Sequence, residues 1–371
     1  MATLTVARPS AGHRPSSRRR LDLAGLGPNW YAAVMGTAIV ANGAAALPVR
    51  LPGLIAFGEL VWALSAAVLA VLICARAVHL VRHRAAARAQ LLDDPATAVF
   101  YGCPPMALIA VGQATLVAGS RLTGTGPAVA VDAVLWSAGT LYGLAVAAGI
   151  PYLLATRHRA AARRANPTWL LPMVVPVVAS AAGPSLLPHL PEGGWRTAML
   201  HACCALLGAG LLGTLGMLPV VLAGLLHGGL PVPALTPSLF LVLGPLGQSV
   251  TATGQLADAA RPVAPGLAPT ALALSELYGV MVMGTAVLWL LVAAAANLRA
   301  WRAGMPFAMT WWAFTFPVGT CVTGAAGLAR HTGSAGFTAL AAALFTLLLA
   351  AWAVAAVRTV SGLAGGRLLR A

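Results

Sequence analysis

The chain alternates apolar stretches of membrane-crossing length with short loops that carry arginine, and no other feature constrains its fold as strongly. About 20 apolar residues let a helix cross the ~30 Å hydrocarbon core of a bilayer. Ten such stretches are predicted, at 28–48, 54–80, 103–120, 128–154, 167–188, 197–225, 236–257, 267–297, 305–328 and 335–358. Charged residues make up 8% of the 371 positions and hydrophobic ones 59%. Soluble domains carry roughly 25% charged residues, so a soluble fold is excluded. No polar segment approaches the ~50 residues of an independent domain. The expected architecture is an all-α polytopic membrane protein of ten transmembrane helices. Residues 1–27 read as a disordered basic cytoplasmic tail, 28–358 as the membrane domain and 359–371 as a short basic cytoplasmic tail.

The net charge of +15 comes from 23 arginines and no lysine. Of these, 18 fall in one alternate set of loops and tails, and 5 in the other: Arg50, Arg121, Arg196, Arg261 and Arg330. By the positive-inside rule both termini are cytoplasmic, as an even number of spans requires, in a plasma or inner membrane. Arginines flanking apolar spans point to anionic lipid head groups as partners, and away from nucleic acid. The stretch RPSSRRRLDLAGLGPNWYAAVMGTAIVANGAAALP has the basic, apolar and Ala-rich parts of a signal peptide. Keeping it as the first span makes the charge pattern consistent. The five cysteines have no metal-site spacing and read as small buried apolar residues. No metal, cofactor or catalytic constellation is expected.

Prolines divide the ten spans into two classes. Span 3 carries Pro104, Pro105 and Gln113; span 5 carries Pro172, Pro176 and Pro184; span 7 carries Pro237, Pro245, Gln248 and Ser249. Span 9 carries Pro317, Thr320 and Thr323, and span 1 has Gly36, Thr37 and Asn42 in place of a proline. Even-numbered spans are mostly Ala, Leu, Val and Met, as in ALAAALFTLLLAAWAVAAV. Proline removes a helix hydrogen bond. Inside a membrane, such irregular backbone is tolerated only where protein or a wet cavity satisfies it. The pattern therefore predicts five helical hairpins, with an inner ring of five kinked odd-numbered helices around a pore and an outer ring of five even-numbered helices facing lipid.

Four co-linear segments, PNWYAAVMGTAIVANGAAAL, WLLPMVVPVVASAAG, PSLFLVLGPLGQS and MTWWAFTFPVGTCVTGAAGLA, resemble the tellurite-resistance/dicarboxylate transporter family. That family includes bacterial tellurite-resistance proteins, fungal malate and sulfite transporters, and the slow-type anion channels of plant guard cells. The resemblance runs from Pro28 to about Ala355. It implies ten helices, a pore within each subunit of a homotrimer, and a phenylalanine on the ninth helix that plugs the pore. Phe316 is the nearest match, beside Pro317; Phe314 lies two residues earlier on another helix face. The alternative for either ring is packing against the proline.

The inner spans as drawn contain no Asp, Glu or Arg. A neutral, hydroxyl-lined path suits small anions, which must leave as readily as they enter. Candidate lining residues are Thr37, Asn42, Gln113, Thr115, Gln248, Ser249, Thr251, Thr320 and Thr323, each with the alternative of bonding its own or a neighbouring helix. Two functions follow: a gated channel for small inorganic or organic anions, or a proton-coupled carrier of C4-dicarboxylate, sulfite or tellurite-like oxyanions. The carrier needs a titratable group, for which Glu276 on span 8 is the candidate; its alternative is a packing hydrogen bond or ion pair.

Overall fold

A computed structural model describes residues 25–49, 51–158, 165–366 and 368. Residues 1–24 of the N-terminal tail and 367 and 369–371 of the C-terminal one lie outside these residues, as do the arginines at 8, 14, 18, 19, 20, 50, 159, 163, 164, 367 and 370. Residues 359–364, read from sequence as tail, continue the last helix. The described residues form helices and turns throughout. The principal helices are α1 (Tyr31–Ala46), α2 (Leu54–Arg82), α3 (Cys103–Ala114), α4 (Thr125–Thr156), α5 (Leu171–Ala182), α6 (Gly194–Gly228), α7 (Leu243–Val263), α8 (Ala268–Arg302), α9 (Phe316–Thr332) and α10 (Ala335–Ala364). Counting their irregular extensions, eight helices among the described residues are long and apolar enough to cross a membrane. α1, at 16 residues, is not among them. Nor is α7, whose 21 residues include Gln248, Ser249, Thr251, Gln255 and Asp258.

Burial alternates along the chain. The most apolar windows of α2, α4, α6, α8 and α10 are only 22 to 28% buried, against 78% around α3 and α9 and 94% around α5. α1 and α7 are likewise buried along most of their length. The exposed helices are apolar all round, with Leu60, Leu141, Leu212 and Leu288 each more than 60% exposed. Such a surface needs lipid as its solvent. Their inward face is a seam at heptad-like spacing. In α8 it runs Ser275, Gly279, Met283, Ala286, Ala293, Asn297 and Ala300. Small side chains on that seam let the backbones approach closely, the main source of packing energy between helices in lipid. Each buried helix packs against the exposed helix that follows it. The buried helices also pack on one another in the order α1, α3, α5, α7, α9, and α9 returns to α1.

A 3₁₀ segment precedes every buried helix: Pro28–Trp30, Val99–Gly102, Pro167–Leu170, Pro233–Val242 and Met309–Phe314. The prolines lie at these junctions. Pro105, Pro245 and Pro317 occupy the first turn of α3, α7 and α9, and Pro176 lies inside α5. In a first turn the missing N–H is one that the helix would leave unpaired anyway. The backbone therefore changes helix type beside the proline, where the sequence predicts a bend within one helix.

Neighbouring side chains satisfy the irregular backbone. The indole N–H of Trp136 on α4 donates to the carbonyl of Ala179 at 2.8 Å, and that of Trp289 on α8 donates to Leu239 at 2.8 Å. Asn297 donates to the carbonyl of Thr236 at 3.2 Å. Next to Pro317, the Thr315 hydroxyl donates to the Trp312 carbonyl at 2.7 Å.

Candidate functional site

Two cavities lie at different levels among the buried helices. The larger has a volume of about 370 Å³ and is bordered by all five odd-numbered elements. Its polar lining is Asn42 from α1, Gln113 from α3, Ser185 from the turn after α5, Gln248, Thr251 and Gln255 from α7, and Thr323 and Arg330 from α9. The smaller, about 20 Å³, lies toward the N-terminal ends of the same helices. It is bordered by Met35, Phe100, Leu171, Leu241, Phe316 and Pro317, among others. From Pro317 to Thr323 the two levels are separated by about 9 Å of helix at ~1.5 Å per residue. Between them Met106, Ala110, Val178, Leu243 and Thr320 are buried.

The polar side chains of the larger cavity differ in how far they are engaged. Asn42 donates through Nδ2 to the Ala110 carbonyl at 3.1 Å, while its Oδ1 has no partner. Gln248 is 4% exposed, and its Oε1 has no partner. Thr251 and Thr323 share a hydrogen bond of 2.7 Å between their hydroxyls. Among the described residues no carboxylate borders either cavity, and Arg330 is the charged residue that does.

Other singled-out residues are placed differently. The Thr37 hydroxyl donates to the Ala33 carbonyl at 2.7 Å and accepts from Trp352 Nε1 at 3.2 Å. Thr115 accepts from Trp62 Nε1 at 2.9 Å, and Ser249 accepts from the Tyr278 hydroxyl at 2.8 Å. Thr320 donates to the Pro317 carbonyl at 2.7 Å. Gly36 lies at the crossing of α1 with the segment before α9, where a methyl group would run into Thr315 and Trp312. The Phe316 ring is 3% exposed. Phe314 stacks edge-on against Phe240 at 4.9 Å and against Trp311 at 6.0 Å, outside both cavity linings. Glu276 is half-buried on α8 and borders neither cavity. Glu59 pairs with Arg121 at 3.4 Å.

Sequence reasoning did not select Arg330, Gln255 or Phe100. α7 and α9 continue past the drawn ends of their spans, to Val263 and Thr332, which brings Asp258, Arg261, Arg330 and His331 onto the buried helices. The signal available was the helix-compatible run GLARHT, with Gly333 following in the left-handed conformation that ends a helix.

Residues 25–360 match the family described as voltage-dependent anion channel. The chain is 27% identical over 359 residues to the sulfite efflux pump SSU1 of Arthroderma otae, covering 93% of both proteins. It is 26% identical to the protein of the same name from Trichophyton rubrum, over 90% of this chain and 89% of that one. An uncharacterized transporter of Methanocaldococcus jannaschii is 24% identical, over 92% of this chain and 95% of its own length. These matches span the whole set of helices, and they join a multi-pass membrane architecture to anion transport. The chain belongs to the SLAC1 voltage-dependent anion channel family, within the tellurite-resistance/dicarboxylate transporter group that its motifs resemble.

Proposed function

We propose that this protein passes small anions through a path along the axis of its five buried helices, narrowed at Phe316. In this reading the ten helices form five hairpins, the odd-numbered helices ring the path, and the even-numbered helices shield it from lipid. The carrying observation is that all five odd-numbered elements border the larger cavity, whose lining is neutral except for Arg330. A path of amides and hydroxyls offers hydrogen bonds without a fixed countercharge that would hold the ion. The Phe316 ring and Pro317 border the smaller cavity, next to the tightly packed level. Pore lining by Asn42, Gln113, Gln248, Thr251 and Thr323 is part of the proposal, as are cytoplasmic termini, a plasma or inner membrane location and a trimer with one path per subunit.

A second reading is favoured by the names of the two fungal relatives, which are sulfite efflux pumps. Here the protein exports sulfite or a related oxyanion or dicarboxylate, with Glu276 carrying a proton. The readings separate on one experiment. Wild type and Phe316→Ala are reconstituted into planar bilayers, and currents are recorded in chloride, nitrate and malate gradients. A channel predicts conductance raised about tenfold or more by the substitution, an order set by removing ~1.4 kcal/mol or more of barrier, with reversal potentials following the anion. Silent bilayers, together with sulfite uptake into vesicles that depends on a pH gradient and is lost in Glu276→Gln, would favour the carrier and return Phe316 to a packing role.

A further inference from the structure

A fixed charge borders a cavity that is otherwise neutral. Arg330 lies in the last turn of α9, and its Nη1 donates to the carbonyl of Ala46, at the end of α1, at 3.2 Å. A guanidinium has five N–H donors in a planar fork, so this tether leaves most of them for a ligand. The nearby carboxylate is engaged elsewhere. Both oxygens of Asp258 accept from His331 Nε2 at 3.1 Å, and one pairs with Arg261 at 3.4 Å. The His331 side chain is 6% exposed and sits behind Gly254, whose own position borders the cavity. One carboxylate faces both Arg261 and Arg330, so Asp258 offsets part of the field of Arg330 and the rim stays positive. Deeper in the cavity lies the amide of Gln248, 4% exposed. Its Nε2–H groups can donate to an oxyanion, whereas its unpartnered Oε1 is an acceptor, relieved by water or by a protonated oxyanion.

We propose that the larger cavity is an anion-capture subsite, with Arg330 supplying the charge and the side-chain amides of Gln248 and Gln113 supplying neutral N–H donors for a small oxyanion. The proposal rests on the path described above and adds to it which residue draws the ion in and what kind of ion the lining prefers. An oxyanion presents several oxygens in fixed directions, so a guanidinium and more than one amide can bond it at once. A halide offers a single centre and gains less from that spread of donors. Because Arg330 sits at the rim, it acts on entry from the cavity side without holding the ion at the narrow level.

The test uses the full chain in liposomes, with wild type, Arg330→Gln, Arg330→Lys and Gln248→Leu, each checked by size-exclusion elution. Initial fluxes of nitrate, sulfite and chloride are measured from the cavity side at about 10 mM and about 1 M ionic strength, where the screening length falls from ~30 to ~3 Å. Arg330→Gln is expected to lower entry roughly threefold or more at low salt and little at high salt, the order expected of one steering charge. Arg330→Lys restores most of it. Gln248→Leu lowers sulfite and nitrate flux more than chloride flux. The second readout is thermal unfolding of the detergent-solubilised protein with added nitrate or sulfite, expected to raise Tm in wild type and not in Arg330→Gln. If wild type carries no anion but is stabilised by nitrate through Arg330, the path fails and the subsite stands. If wild type carries anions and Arg330→Gln matches it in low-salt flux and in Tm response, the subsite is overturned and the path stands.

Discussion

The hydroxyls of Thr37, Thr115, Ser249 and Thr320 show why a polar residue on a buried helix is an ambiguous signal. Each donates or accepts within the helix bundle: Thr37 and Thr115 accept from the indoles of Trp352 and Trp62, Ser249 from Tyr278, and Thr320 donates to the Pro317 carbonyl. The partners lie up to hundreds of residues away in sequence, so no local pattern names them. Asn42, Gln113 and Gln248 were more legible because an amide has more hydrogen-bonding sites than one neighbour fills. All three border the larger cavity. Gly36 was legible as a special position but not in its use, since its constraint comes from Thr315 and Trp312 on another part of the chain. Gly36→Ala is expected to destabilise the protein by about 1–3 kcal/mol, the usual cost of overpacking. Gly216→Ala, on the lipid-facing surface of α6 with nothing within 4 Å of an added methyl, serves as the comparison. Thermal unfolding in detergent should give a lower Tm for Gly36→Ala and an unchanged or slightly higher one for Gly216→Ala. Equal Tm values would mean that α1 has room to shift away from Trp312.

At the scale of the element, hydropathy located the apolar centre of each helix, because the length of an apolar run and the thickness of a bilayer constrain each other. The ends were less legible: α7, α8 and α10 run five or six residues past the drawn ends, to Val263, Arg302 and Ala364. Hydropathy could not distinguish α from 3₁₀ backbone, as the two expose the same side chains to lipid or protein. Prolines marked where the change occurs, and Pro317 illustrates how: it fills a first-turn position whose N–H has no partner to lose. The carbonyls freed on the other side of each junction need donors, and a bilayer supplies none. Trp289 meets that need from the adjacent exposed helix, donating to Leu239 at 2.8 Å. The Ala179 carbonyl that Trp136 bonds also accepts the N–H of Gly183. Phenylalanine in either place keeps most of the ring area but removes the indole N–H. Trp289→Phe should cost about 1–3 kcal/mol, the penalty for leaving a buried carbonyl unpaired, and Trp136→Phe about 0.5–1.5 kcal/mol, the net worth of one hydrogen bond. Thermal unfolding checks the sizes. Hydrogen exchange checks the location, since faster exchange should concentrate in residues 233–242 for Trp289→Phe and change less in residues 176–189 for Trp136→Phe.

For the whole molecule, polar residues and first-turn prolines pointed to the buried helices, because lipid accepts only apolar faces while the protein interior accepts irregular backbone. Proline alone did not divide them, since exposed α4 and α6 carry Pro151 and Pro219 inside and buried α1 carries none. The order in which the buried helices pack could not be read from pattern alone. It follows from the contacts of α9 with α1, which join the two ends of the sequence. Those contacts put every 3₁₀ segment at the N-terminal end of its buried helix and the larger cavity toward the C-terminal ends. The arginine asymmetry, 18 against 5, makes a testable expectation of the side each faces. If the N-terminal ends of the odd-numbered helices face the cytoplasm, the cavity with Arg330 opens outward and meets anions outside the cell. Single cysteines test this in a chain whose five native cysteines are replaced, with Ala303→Cys before α9 and Ala335→Cys after it; both positions are exposed. A membrane-impermeant maleimide applied to intact cells should label the residue at position 335 and reach position 303 only after permeabilisation. The opposite labelling would turn the cavity toward the cytoplasm. Arg330 would then gather anions for export, and the chain would run against the positive-inside rule, with the tails and the loops of its 18-arginine set both outside.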